Sequence, residues 1–101
     1  MNEDKVMEIV FSCKEFHIIQ DLHDRYYKLL LGKTIPITYK SFKLLILEAY
    51  NHVWELNVKM SDFEFNISNE GNVYMGNYNY ILNDLHFNWR YNVLSMIQKY
   101  E

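Results

Sequence analysis

Apolar positions recur at helical spacing in three stretches of the chain and alternate with polar ones in a fourth. Over residues 39–56, Phe42, Leu45, Ile46, Ala49, Tyr50, Val53 and Leu56 follow i, i+3, i+4, i+7, which predicts a helix. Pro36 disfavours helix immediately before it, and Thr38 or Ser41 supplies the cap. Over 84–100, Leu85, Trp89, Val93, Met96 and Tyr100 form the stripe of a last helix, capped by Asn83 or Asp84. Between these two the period drops to two. Phe63, Phe65 and Ile67 alternate with Glu64 and Asn66, as in a half-buried strand. Ser68-Asn69-Glu70-Gly71-Asn72 is turn chemistry, and Val73 to Tyr80 returns as the second strand of a hairpin, with Gly76 marking a bulge.

The first thirty residues carry two patterns at once. Val6, Ile9, Val10, Cys13 and Phe16 recur at helical spacing, and nothing breaks a helix before Gly32. Against one long helix, Lys5 to Phe11 is rich in β-formers, and Ser12-Cys13-Lys14-Glu15 has the form of a capping box. The reading favours a short strand over 5–11 and a helix from near Ser12. Phe16, Ile19, His23, Tyr26 and Leu30 form its inner face, and Gly32 ends it. The order is then (β)-α-α-β-β-α. This predicts an α+β fold in a single domain over 1–101, with an antiparallel hairpin packed against three helices.

Composition supports a folded core. Half of the 101 residues are hydrophobic, 17% are aromatic and 23% charged, which excludes intrinsic disorder. A net charge of −3 provides no global field for nucleic acid. No apolar run reaches the roughly 18–20 residues of a membrane span. The opening MNEDKVMEIVF lacks the basic and apolar regions of a signal peptide, and Cys13 has no disulfide partner, so a cytoplasmic protein is expected. Asn, Lys, Tyr, Ile and Phe are abundant and Gly, Ala, Arg and Pro scarce. That bias points to an AT-rich coding genome, such as that of a low-GC bacterium, phage or mobile element.

Candidate chemistry is sparse. His17 and Asp21 stand at i, i+4 with His23 and Asp24 nearby, but His17 and His23 point to different sides of a helix, and no metal is expected. Cys13 and His17 lack an orienting third group, so the thiol is read as structural. Three glycines leave no phosphate loop, and no cofactor or catalytic group is predicted. A helix-turn-helix drawn through 22–57 offers Lys40, Lys43 and His52, but also Glu48 and Glu55. A small helix-turn-helix-like transcriptional regulator is therefore the alternative reading. The aromatic hairpin is more informative. Phe63, Phe65, Tyr74, Tyr78 and Tyr80 are interleaved with asparagines and surrounded by acids, and two strands cannot bury both faces. Asp62, Glu64, Tyr74, Tyr78 and Tyr80 are the predicted partner-binding surface.

Val10 to His23 resembles the opening of barstar-type ribonuclease inhibitors. Val10, Phe11, Phe16, Ile19, Asp21, Leu22 and His23 match a strand, a turn and an Ile-x-Asp-Leu-His helix entry without a gap. Pro36, Tyr39 and Phe42-Lys43-Leu44-Leu45 are similar to that family's Pro-Tyr loop and second helix. The likeness spans about 40 of the 101 residues. Lys43 and Leu47 stand where the family's nuclease-gripping carboxylates are expected, the connector is longer, and the closing strand has no counterpart. The resemblance implies a small inhibitor-like α+β domain and transfers no binding site. Together these features lead to one expectation: a non-enzymatic protein that binds and inhibits another protein. It would be of the immunity-protein, antitoxin or phage-inhibitor kind, and its partner a nuclease or other toxin.

Overall fold

The computed structural model describes residues 2–75, 81–82 and 87–101. Its elements follow one another as α1 (Asn2–Phe11), α2 (Phe16–Leu31), α3 (Tyr39–Trp54), β1 (Phe65–Ile67), β2 (Val73–Met75), β3 (Ile81–Leu82) and α4 (Phe87–Tyr100). The fold is α+β, with an antiparallel sheet in the order β1-β2-β3.

α3 is the central element, and its sequence shows why. Phe42, Leu45, Ile46, Leu47, Ala49 and Tyr50 are all buried, a band too broad for a helix covered on one side only. α4 packs on it through Trp89, Val93, Met96 and Ile97, while Phe42 also meets Phe65 of β1. The start of α3 is fixed locally. Ser41 N–H donates to Thr38 Oγ1 at 3.1 Å, and Thr38 N–H donates back to Ser41 Oγ at 2.8 Å, a reciprocal capping box. Both residues predicted as alternative caps therefore act together.

The predicted strand over 5–11 is a helix. Val6 and Val10, one turn apart, are buried in the core, and Glu3 and Asp4 lie in the first turn, where the helix dipole favours them. The β-forming residues can serve either state, and the buried i, i+4 pair settles the choice. The Ser12-Glu15 capping box is also not made. Ser12 Oγ instead donates back to the Ile9 carbonyl, and α2 begins at Phe16 without a side-chain cap from Glu15. Val10 and Phe11, which the likeness to the inhibitors places on a strand, thus close α1. Gly32 ends α2 with φ +78°, and its N–H reaches the Lys28 carbonyl. Leu30, Val53, Leu56 and Tyr100, predicted on inner stripes, are exposed; Leu56 falls outside α3, which ends at Trp54 with Glu55 as its left-handed cap.

β1 and β2 pair in the register Phe65↔Met75, Asn66↔Tyr74 and Ile67↔Val73. Phe65, Val73 and Met75 face inward and are buried, as alternation requires. Gly71, at φ +82°, makes the turn. β3 adds a strand to the predicted hairpin through Val73↔Leu82 and Tyr74↔Ile81. The outer edge of β1 is closed by side chains. Phe65 N–H donates to Tyr39 Oη at 3.2 Å, and its carbonyl accepts from Asn2 Nδ2. α1 and α3 thereby satisfy backbone groups that an open edge would present to another chain. The predicted bulge at Gly76, the cap at Asn83 or Asp84, and Leu85 lie outside the described residues.

His23 is wholly buried between α2 and α3. Its Nε2 lies 2.8 Å from Ser41 Oγ, and its ring stacks obliquely on Tyr27 with centroids 4.7 Å apart. Ser41 Oγ takes the Thr38 N–H and gives its own proton to the Thr38 carbonyl. It therefore meets His23 as an acceptor, which places the imidazole proton on Nε2. Nδ1 remains a bare acceptor with no partner among the described residues. Protonating it would add a charge and an unpaired donor at the positive end of α3. Burial lowers the His23 pKa below its ordinary value, with Asp24 pulling weakly the other way. As pH falls below about 6.5, the unfolded chain takes up this proton first, so stability declines until the folded imidazole also titrates. Urea midpoints measured from neutral pH downward should show this slope. His23→Gln, which keeps a donor for Ser41, should flatten it.

Candidate functional site

The best-organised polar cluster on the described surface is centred on Glu64. Asp62, Glu64 and Asn66 are exposed while Phe63 and Phe65 are buried, because the extended backbone at Phe63 continues the alternation of β1. Tyr74, half-buried, stands opposite Asn66 on β2. Glu64 and Tyr74 of the predicted surface are therefore brought to one face, and exposed Asp62 ends the short 3-10 turn Met60–Asp62 just before them. Tyr78 and Tyr80 lie outside the described residues.

Glu64 is exposed yet firmly held. Tyr39 Oη donates to its Oε2, and Lys43 Nζ donates to its Oε1 at 3.1 Å. The side chain keeps 64% of its exposure, whereas that of Lys43 keeps 7%. Lys43 lies on α3 between Phe42 and Leu44 and reaches outward beneath the acid. Its ammonium also donates to the Met60 carbonyl at 2.7 Å and sits 4.7 Å from the centroid of the Phe63 ring. The Tyr39 hydrogen bond, then the Lys43 bond and charge, hold the Glu64 carboxyl below its ordinary pKa; partial desolvation opposes them. Tyr39 is pushed up by burial, by its bond to Glu64 and by the nearby charge of Glu3. Glu3 of α1 is exposed and near enough for its charge to act on Tyr39. Asp62 is fixed as well, its Oδ2 accepting the Lys59 N–H at 3.0 Å.

Sequence reasoning found the acids but not their support. In the alternative helix-turn-helix reading Lys43 would be offered to DNA, yet it is buried and committed to Glu64 and Met60. α3 is the central helix of the core, and the α2–α3 connection over 32–38 is longer than the short turn of a helix-turn-helix. A signal for the burial of Lys43 does exist: it is the lone charge in the run Phe42-Lys43-Leu44-Leu45-Ile46-Leu47.

The other chemical candidates resolve into local roles. Cys13 Sγ donates to the Ile9 carbonyl at 3.2 Å and packs against the core. It precedes α2, so it forms no i, i+4 pair with His17 within one helix. His17 is exposed and His23 buried, on different sides of α2. Among the described residues no group of three or more His, Cys, Asp or Glu is placed to hold a metal, and no helix is long and apolar enough to cross a membrane. Against family models, curated proteins and solved structures, the chain matches none.

Proposed function

We propose that this protein binds a positively charged protein through the face made by Glu3, Asp62, Glu64 and Tyr74, and inhibits it by covering its working surface. The observation that supports this reading is the construction at Glu64. An acid that is more than half exposed is tied by a buried lysine on one oxygen and a tyrosine on the other. Most surface glutamates lose side-chain freedom on binding; this one has already lost it in folding. A pre-organised carboxylate beside a half-buried tyrosine suits a guanidinium or ammonium of a partner, as such acids do in interface hot spots. The neighbouring acids would steer a basic partner into place. The partial likeness to barstar-type inhibitors favours a nuclease as the target class, reached here through different residues.

The test is affinity capture from the native host with the wild-type chain and with the triple variant Glu3→Gln/Asp62→Asn/Glu64→Gln. A basic protein should be retained by the wild type and lost, or bound at least about tenfold more weakly, by the variant, whose circular dichroism stays native. Its association rate should also fall as salt is raised. Equal capture by both forms would count against the acidic face, and turnover of a nucleotide by the purified chain would replace the reading with an enzyme.

A further inference from the structure

Glu64 uses only part of what a carboxylate offers. Two carboxylate oxygens carry about four lone-pair positions. Tyr39 fills one on Oε2 and Lys43 one on Oε1, so each oxygen keeps one. Both donors belong to α3, so the side open to solvent is the one turned away from that helix. Lys43, almost wholly buried, lies beneath the acid and out of the path of an incoming group.

Two further groups share this outward face of the sheet. Asn66 follows Glu64 by two residues, about 7 Å along the strand, and is exposed. Tyr74 stands opposite Asn66 on β2 and diagonal to Glu64, at the roughly 7–8 Å that separates diagonal neighbours across a strand pair. A carboxylate, an amide and a half-buried ring are thus laid side by side.

Their spacing selects between the two cations a protein can present. An ammonium is a point charge, and it serves only acceptors that converge within about 3 Å of its one nitrogen. Glu64 cannot turn to meet Asn66 around such a point, because both of its oxygens are held from α3. A guanidinium spreads five N–H donors over a plane. It can take the oxygens of the acid with one edge and the amide oxygen with another. Its stem and flat face can lie on the Tyr74 ring, and it gives up water more readily than an ammonium does.

We infer that Glu64, Asn66 and Tyr74 together read an arginine side chain of the partner and discriminate it from lysine. The inference rests on the acidic-face reading proposed above and names the group which that face takes.

The experiment titrates the intact chain at neutral pH with two blocked peptides of equal charge, acetyl-Gly-Arg-Gly-amide and acetyl-Gly-Lys-Gly-amide. It follows the 13C signal of the Glu64 carboxyl and the 1H–15N signals of Asn66 and Tyr74. The arginine peptide should bind about threefold or more tightly than the lysine peptide. Glu64→Gln should abolish binding of both. Asn66→Ala and Tyr74→Leu, with native circular dichroism, should each weaken the arginine peptide and leave the lysine peptide nearly unchanged. Lys43→Met frees the carboxylate to turn and should narrow the preference; an acid acting by charge alone gives no reason for that change. Equal affinity for the two peptides, or a preference that survives both Asn66→Ala and Tyr74→Leu, would overturn the inference and leave the acidic-face reading standing. No shift at Glu64 with either peptide at tens of millimolar would remove both.

Discussion

Replacing Phe65 with alanine should remove a large part of the stability of this protein. Phe65 has no exposed surface and joins three parts of the structure. Its ring meets Tyr39 edge-on at 5.8 Å, Phe42 at 5.7 Å and Phe63 at 5.6 Å, linking β1 to the central helix. Truncating a buried phenylalanine costs about 3–5 kcal/mol, through lost transfer energy and the cavity left behind. A domain of this size commonly has only about 5–15 kcal/mol in all. The backbone at the same residue raises the stakes, because the Tyr39 and Asn2 bonds to Phe65 are what close the sheet edge. Once β1 shifts, those bonds loosen and Glu64, the next residue, loses its fixed position. Urea unfolding followed by circular dichroism should give a midpoint far below that of the wild type, and Phe65→Leu should fall between them. A Phe65→Ala variant as stable as the wild type would show that the aromatic cluster is not the link between sheet and helix.

The elements legible in the sequence are those whose signals are local and agree with one another. In α3 the apolar period, Pro36 and the Thr38 and Ser41 caps all specify one helix in one register. The β1–β2 turn is legible for the same reason: a period of two meets turn residues around Gly71, which adopts the positive φ. The N-terminal stretch failed because two local signals conflicted. Val6, Ile9, Val10 and Phe11 fit either state by propensity, and Ser12-Glu15 imitates a cap. Burial of Val6 and Val10 against the core decided it, and burial is a tertiary fact.

The candidate surface divides along the same line. That Glu64 and Tyr74 share a face follows from strand alternation and a hairpin register, both readable in the chain. That Glu64 is clamped does not, since Lys43 and Tyr39 reach it from a helix more than twenty residues earlier.

The second large effect is expected at Lys43, and its two simplest variants should separate stability from function. Lys43→Ala removes a buried aliphatic stem and the donor to the Met60 carbonyl together, and should cost about 2–3 kcal/mol. Lys43→Met keeps the stem against Phe63 and loses only the ammonium, so it should cost about half as much or less. Either change deprives Glu64 of one of its two clamps. Its carboxyl pKa should then rise towards the ordinary value, while the remaining Tyr39 bond keeps it from recovering fully. The sign of the pH effect follows. In the wild type the depressed Glu64 pKa contributes stability that is present at neutral pH and lost as pH falls through the folded value; the Met variant should lose less on acidification. Binding should change in the opposite sense. The Met variant is one unit more negative at the acidic face, so a basic partner should associate at least as fast, but the freed carboxylate should let it leave sooner. Side-chain carboxyl NMR would give the titration, and stopped-flow and dissociation measurements on a captured partner the two rates. A Met variant that holds its partner for as long as the wild type would mean that clamping Glu64 in advance adds nothing to recognition, and that the acid acts by charge alone.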